Sequence, residues 1–278
     1  MPNTKPIGVF DSGVGGLTVY RALREALPHE NVIYLGDTAR LPYGTKSKET
    51  VEHYTLSAAL LLREHGIKFL VVACNTASAY ALEALQHEMP DLSYCGVIAS
   101  GAEAAVKTTQ NGRIAVLATE GTVRSGIYAD IIYSLKRDAD VQMLACNLLV
   151  ALAEEGWSEG TEAETVIARY LSALKPDYDT LVLGCTHFPL LVPTLRKLCS
   201  PKVRIVDSAQ VTAQAVSGLL TARDMLNPRT EKGISKFLVT DLPERFIRLS
   251  AQFLGNTVAD RVEMTGFSIR PSSPVSLP

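Results

Sequence analysis

Two cysteines stand where thiols could carry protons. Cys74 closes one apolar run in the stretch Val72-Ala-Cys-Asn-Thr76, and Cys185 closes another in Leu183-Gly-Cys-Thr-His187. Each is expected at the end of a strand and the start of a helix, where free backbone N–H groups favour a thiolate and lower a thiol pKa from about 8.5. Each also has a polar neighbour able to exchange or orient a proton. His187 follows Cys185 by two residues, and Asp11 ends another strand-like run; a cap or packing residue is the alternative reading for His187. Two equivalent thiols facing each other across a crevice could act as base and acid on opposite faces of one carbon, the requirement of a two-base stereochemical inversion. A single nucleophilic cysteine would not need the duplication. Free cysteines in apolar strands are ordinarily inert packing, the reading taken for Cys95, Cys146 and Cys199. The count of five is odd and holds no Cys-x-x-Cys pair, so neither a disulfide framework nor a metal site is expected.

Four polar clusters follow apolar runs and precede helical patterns: Asp11-Ser-Gly13, Cys74-Asn-Thr76, Thr119-Glu-Gly-Thr122 and Cys185-Thr-His187. In open parallel sheets ligands bind outside the carboxyl ends of the strands, and helix N-termini there suit an anion such as a carboxylate. Small hydroxyl and amide donors line these motifs instead of lysines, which favours a modest acidic metabolite over a polyphosphate. The glycine-rich Asp11-Ser-Gly-Val-Gly-Gly16 is not a dinucleotide fingerprint, because Thr18 takes the position of the last glycine, and no Gly-Lys-Ser/Thr follows. A tight strand-to-helix turn is the simpler reading.

The elements that must hold these clusters alternate along the chain. Strands are expected over Lys5–Phe10, Asn31–Gly36, Lys68–Ala73, Tyr94–Ile98, Arg113–Ala118, Asp140–Ala145, Thr180–Leu183 and Val203–Val206. Between them run helical periodicities such as Glu49–His65, with Val51, Tyr54, Ala58, Leu61 and Leu62 on one face. Thr161-Glu-Ala-Glu164 reads as a capping box. Such alternation argues for parallel sheets covered by helices. The halves also echo each other: Ile7-Gly-Val-Phe10 returns as Ile114-Ala-Val-Leu117, and the first cysteine motif returns as the second, in the same order. The expected fold is therefore α/β, two similar lobes with mainly parallel sheets related by a pseudo-twofold, and an active site in the crevice between them. After Val206 come a helix from about Ala209 to Asp224, a strand-like Phe237–Val239 and a helix Pro243–Leu254, too few elements for a third lobe. The first lobe is expected to comprise residues 1–98 plus about 209–265, the second residues 99–208, and residues 266–278 a mobile tail.

Composition excludes other classes. The 278 residues are 47% hydrophobic and 20% charged, so the chain is globular and not disordered. With 27 basic against 29 acidic residues there is no charge excess for a nucleic-acid backbone to attract. The longest apolar runs, residues 69–74 and 148–153, are six residues, far short of a membrane span. The opening Met1-Pro-Asn-Thr-Lys-Pro6 lacks the apolar core of a signal peptide. A soluble, cytoplasmic protein is expected.

The runs Phe10-Asp-Ser-Gly-Val-Gly-Gly-Leu17, Gly36-Asp-Thr-Ala-Arg-Leu-Pro-Tyr-Gly44, Ala73-Cys-Asn-Thr-Ala-Ser78 and Leu183-Gly-Cys-Thr-His-Phe-Pro-Leu-Leu191 resemble those of the glutamate branch of the aspartate/glutamate racemase superfamily. The resemblance extends from about Ile7 to Val262, and aspartate members typically carry Glu where His187 stands. It implies cofactor-independent racemisation between L- and D-glutamate, supplying D-glutamate for peptidoglycan in the cytoplasm, by a homodimer. It implies that Cys74 deprotonates D-glutamate with help from Asp11, and that Cys185 deprotonates L-glutamate with help from His187. Substrate carboxylates and ammonium would be held by Asp11, Ser12, Tyr43, Gly44, Asn75, Thr76, Thr186 and His187, with Thr119 and Thr122 nearby. It also implies that the C-terminal helices complete the first lobe.

One stretch departs from that pattern. The family often has Cys-Pro near the middle and a second proline before a functional glutamate; this chain reads Cys146-Asn-Leu-Leu-Val-Ala-Leu-Ala-Glu-Glu-Gly156, with both prolines replaced. Glu154 is matched to that glutamate. The first strand also begins close to Met1, so the longer N-terminal extension that some members use for activation by a cell-wall precursor is not expected. Two other functions stay open from sequence. A racemase acting on aspartate or a related acid would differ in its rates on a substrate panel, and a binding module with an inert crevice would bind glutamate without exchanging its α-proton.

Overall fold

Uninterrupted apolar runs such as Ile7-Gly-Val-Phe10 and Phe69-Leu-Val-Val72 can be buried on both faces only in a sheet that helices cover twice. The computed structural model describes residues 3–255 and 262–266 and arranges them in this way; beyond Gly266, the expected mobile tail lies outside the described residues. Ten strands are described: β1 (Ile7–Asp11), β2 (Val32–Gly36), β3 (Phe69–Val72), β4 (Ser93–Gly96), β5 (Arg113–Ala118), β6 (Asp140–Ala145), β7 (Thr180–Gly184), β8 (Arg204–Asp207), β9 (Ser235–Val239) and β10 (Val262–Met264). They form two sheets, ordered β10-β9-β2-β1-β3-β4 and β6-β5-β7-β8, and every pairing in them is parallel. The order β4-β3-β1-β2 in the first sheet has its counterpart in β8-β7-β5-β6 of the second. The strand before Cys74 and the strand before Cys185 therefore hold equivalent places, as the sequence echo anticipated.

The helices are α1 (Leu17–Ala26), α2 (Lys48–Glu64), α3 (Asn75–Tyr80), α4 (Leu82–Glu88), α5 (Ile98–Thr108), α6 (Glu120–Ser125), α7 (Ile127–Leu135), α8 (Asn147–Glu154), α9 (Thr161–Leu171), α10 (Val192–Leu198), α11 (Ser208–Ala222) and α12 (Pro243–Leu254). The stripe foreseen on α2 faces inward, with Val51, Ala58 and Leu62 buried and Tyr54 and Leu61 half-buried. Ser47 caps that helix by accepting the Thr50 N–H. A central core joins Ile7, Val9 and Phe69 of the first sheet to Ile114, Val116 and Val182 of the second, with α1, α5, α7 and α11 between. Phe246 and Phe253 of α12 pack into the same core. Smaller cores lie under α2 and α4 on one side and under α8, α9 and α10 on the other. No helix among the described residues is long and apolar enough to cross a membrane.

Two local expectations are corrected. Thr161 does not cap α9, because Gly160 (φ +99°) takes the N-cap position and Thr161 is the first helical residue. Glu162 and Glu164 still lie in the first turn, where their charge complements the helix dipole. Nor is Cys185 followed at once by an α-helix: His187 precedes a 3-10 turn, Phe188–Leu191, that leads into α10. Strand β10 was not foreseen. Its three residues are too short for an alternation to register, and its place beside β9 rests on backbone pairing.

Candidate active site

Parallel register brings the strand ends to a common edge. Asp11 pairs with Gly36, and Ala118 pairs with Gly184, so the residues just beyond them meet in one cleft. Cys74 is the N-cap of α3, in extended conformation, and its carbonyl accepts the Ser78 N–H. The cleft between the lobes is lined by Ser12, Tyr43, Gly44, Cys74, Asn75 and Thr76 from the first lobe. Thr119, Glu154, Cys185, Thr186 and His187 line it from the second.

The two thiols have different company. The Cys74 thiol donates to the Ser12 hydroxyl at 3.6 Å. Burial and the nearby charge of Asp11 push it up to about 12, so the lowering expected of a helix N-terminus does not occur. A six-residue helix offers little dipole, and the cost of desolvating a thiolate exceeds it. Cys185 Sγ lies 3.8 Å from His187 Nδ1. His187 Nε2 lies 3.2 Å from Glu154 Oε1, and Arg245 of α12 donates to Glu154 Oε2 at 3.2 Å. Burial would depress the His187 imidazolium, but its hydrogen bonds to Cys185 and Glu154, with the charges of Cys185 and Asp11, outweigh this and bring it up to about 10. Burial likewise favours a neutral Glu154, yet the hydrogen bond and charge of His187, with Arg245, hold its carboxyl below the usual range. His187 therefore keeps its proton at neutral pH beside Cys185. The absent prolines do not prevent Glu154, at the end of α8, from reaching it.

Two of the expected site residues stand behind the cleft wall. Asp11 is fully buried; its carboxylate accepts the Gly13 N–H at 2.9 Å and the Thr186 hydroxyl at 3.4 Å. Burial raises it from the usual carboxylate range, opposed by the charge of His187 and by backbone N–H groups. Its influence on Cys74 is therefore through its charge, and the direct partner of Cys74 is Ser12. Thr122 is also fully buried, 3.3 Å from the Thr76 hydroxyl and 3.1 Å from that of Thr119. Thr76 and Thr119 themselves approach to 2.9 Å across the lobes.

Glycines allow this closeness. A side-chain carbon on Gly15 would collide with the His187 ring, and one on Gly44 would meet Thr119 at 2.6 Å. Sequence reasoning gave no role to Asp37, although it lies in the quoted Gly36–Gly44 run. Asp37 is fully buried and accepts from Tyr43, Arg40 and Thr240 at 2.6, 2.7 and 2.8 Å. It thereby fixes the loop that carries Tyr43 to the cleft. Val150, Leu41 and Arg245 were also missed: the first two are apolar cleft residues without a motif, and Arg245 reaches Glu154 from a distant part of the chain.

The sequence model of the Asp/Glu/Hydantoin racemase family matches residues 7–216. The chain is 49% identical over 257 residues to a glutamate racemase of Geobacter metallireducens, covering 92% of this chain and 95% of that one. Among solved structures it is similar to a glutamate racemase of Bacillus anthracis, with a TM-score of 0.90 and 36% identity over 95% of this chain and 98% of that one. It is also similar to the glutamate racemase of Francisella tularensis, solved with D-glutamate, with a TM-score of 0.89 and 34% identity over 95% and 98% of the two chains.

Proposed function

The chain belongs to the Asp/Glu/hydantoin racemase family and is an amino-acid racemase, and on that premise we propose that it interconverts L- and D-glutamate by two-base proton transfer between Cys74 and Cys185. The observation that carries this reading is the pair of thiols at equivalent strand ends, both on one cleft. Cys185, with the His187 imidazolium as counter-charge, takes the α-proton of L-glutamate. Cys74, a protonated thiol, delivers a proton to the opposite face. For D-glutamate the order reverses, with Cys74 as the base and Cys185 as the acid. Both proton positions come from protein side chains, so the proposed mechanism uses no cofactor.

The hydroxyls of Ser12, Tyr43, Thr76, Thr119 and Thr186, the Asn75 amide and the backbone at Gly44 hold the substrate. Asp11 acts through its charge on Cys74 and His187, and Thr122 supports Thr76 and Thr119 from behind. Each positioned proton transfer is worth about 10²–10⁴-fold. The rest comes from fixed donors around a carboxylate that gains charge as the α-proton leaves, in a cleft that excludes water. The product, D-glutamate, is read as serving peptidoglycan synthesis in the cytoplasm, and the enzyme as a homodimer. The lobes are read as residues 1–98 with about 209–265, and residues 99–208.

Initial rates of the purified, reduced protein, freed of pyridoxal phosphate, on both enantiomers of glutamate and of aspartate test the assignment. Turnover of glutamate in both directions, with aspartate far slower, is expected. Comparable or faster turnover of aspartate would overturn the glutamate assignment, and no turnover of any would overturn the racemase reading.

A further inference from the structure

Asn75 presents an amide whose two ends are treated differently. Its Oδ1 accepts a hydrogen bond from the Tyr128 hydroxyl at 2.9 Å, whereas its Nδ2 is buried with no partner among the described residues. Asn75 belongs to the first lobe, as the first residue of α3, and lines the cleft. Tyr128 belongs to α7, beyond β5 and α6, and is fully buried. The bond therefore crosses from one lobe to the other. The Tyr128 ring occupies a slot that two glycines keep open. A side-chain carbon on Gly101 would lie 3.1 Å from the Tyr128 hydroxyl, and one on Gly184, next to Cys185, would lie 3.2 Å from the ring.

The two ends of an amide are chemically opposite, one accepting and the other donating. A tyrosine hydroxyl with no other acceptor in reach has to donate, and the Tyr128 hydroxyl makes no other hydrogen bond among the described residues. An amide turned the other way could donate to the Tyr128 oxygen, but it would leave the Tyr128 O–H without an acceptor and set an acceptor facing an incoming anion. The unpartnered Nδ2 is costly while buried alone and is satisfied when a carboxylate arrives. We propose that Tyr128 is a positioning residue: it sets the polarity of the Asn75 amide so that its N–H donors face a substrate carboxylate, and it makes that orientation depend on the lobes being closed.

The inference rests on the reading of Asn75 as a substrate-binding residue, and a double-mutant cycle separates the two. KM and kcat are measured on both enantiomers for Asn75→Ala, Tyr128→Phe and the double variant, with thermal melting alongside. Asn75→Ala is expected to raise KM at least about tenfold, the range for a hydrogen bond to a charged group. Tyr128→Phe keeps the ring and is expected to raise KM about fivefold, with kcat changed far less. In the Asn75→Ala background it should change nothing further, because Tyr128 acts through that amide. A purely packing role would instead give a lower melting temperature and effects that add.

If Asn75→Ala leaves KM unchanged, the binding reading fails and the inference fails with it. If Asn75→Ala raises KM while Tyr128→Phe does not, or if the two effects add, only the inference fails. Should Tyr128→Phe not fold, Gly101→Ala serves in the same cycle, since its methyl displaces the Tyr128 hydroxyl by a few tenths of an ångström. A smaller KM rise that disappears without Asn75 supports the proposal, and an unchanged KM overturns it.

Discussion

The two halves of the cleft share a strand order and differ in charge. On the first side, Cys74 follows β3, touches the Ser12 hydroxyl and lies near the Asp11 carboxylate. On the second, Cys185 follows β7 and lies against His187, whose hydrogen bonds to Cys185 and Glu154 outweigh its burial and favour the imidazolium, while Arg245 keeps Glu154 ionised. A negative group backs one thiol and a positive group the other. The duplicated fold thus sets two sulfurs in equivalent places, while the side chains beside them differ in charge. A two-base reaction needs that opposition, because one thiol must be able to accept when the other is ready to donate.

Removing either thiol tests the comparison hardest. Cys74→Ala and Cys185→Ala should each lower racemisation at least about 10³-fold. L- and D-glutamate are equally stable, so kcat/KM must remain equal in the two directions for any variant. The difference between the halves is therefore read in α-proton exchange with solvent, followed by NMR in D₂O. Cys185→Ala should exchange only D-glutamate and Cys74→Ala only L-glutamate; the same preference in both variants would remove the assignment of faces.

Next in size is His187→Gln, which removes the positive member of the second half. A fall in kcat of about 10²-fold is expected, the lower end for a group that assists proton transfer. His187 also links the site to pH-dependent stability. Its folded value, about 10, lies above its ordinary 6.5, so its contribution is complete below about 6.5 and is lost as pH rises toward 10. Urea unfolding at pH 6 and at pH 10 should show the wild type losing more stability than His187→Gln over that interval; equal losses would contradict the protonated assignment.

Glu154→Gln keeps the shape and removes the charge behind His187. A loss in kcat of about tenfold is expected, with the alkaline limb of the pH–rate profile moved to lower pH because the imidazolium is less stabilised. An unmoved limb would mean that Glu154 does not govern His187. The smallest effect belongs to Ser12→Ala, about threefold in kcat, the worth of one ordinary hydrogen bond. An effect as large as that of His187→Gln would mean that the first half relies on Ser12 as the second relies on its histidine.

The legible parts of this site are those whose chemistry is local. Cys74, Cys185 and their neighbours stand directly after apolar runs, and parallel strands bring such positions to one edge without further information. The repeated order of motifs made the equivalence of β3 and β7 visible in advance. The thiol environment was not legible: a strand end followed by a helix suggests a lowered pKa, but the burial of Cys74 and its distance from Asp11 are set by tertiary packing. Arg245 lies 91 residues from Glu154, and Tyr128 lies 53 from Asn75, so neither pairing leaves a periodic trace. Asp37 sat within a quoted motif, yet nothing local says that a loop aspartate will be fully buried beneath Tyr43. The misplaced cap at Thr161 has a similar cause, since Gly160 at positive φ took over the turn.

The central claim is that two different thiols serve the two faces of one carbon. The most direct test incubates the reduced protein, without pyridoxal phosphate, with L-glutamate in D₂O and follows optical activity and α-deuterium together from the earliest conversion. The account predicts loss of optical activity with deuterium in the D-glutamate formed, while the remaining L-glutamate keeps its α-protium. D-glutamate that forms with its original α-proton would show a single base returning the same proton. Bound glutamate with neither loss of optical activity nor deuterium uptake would contradict catalysis altogether.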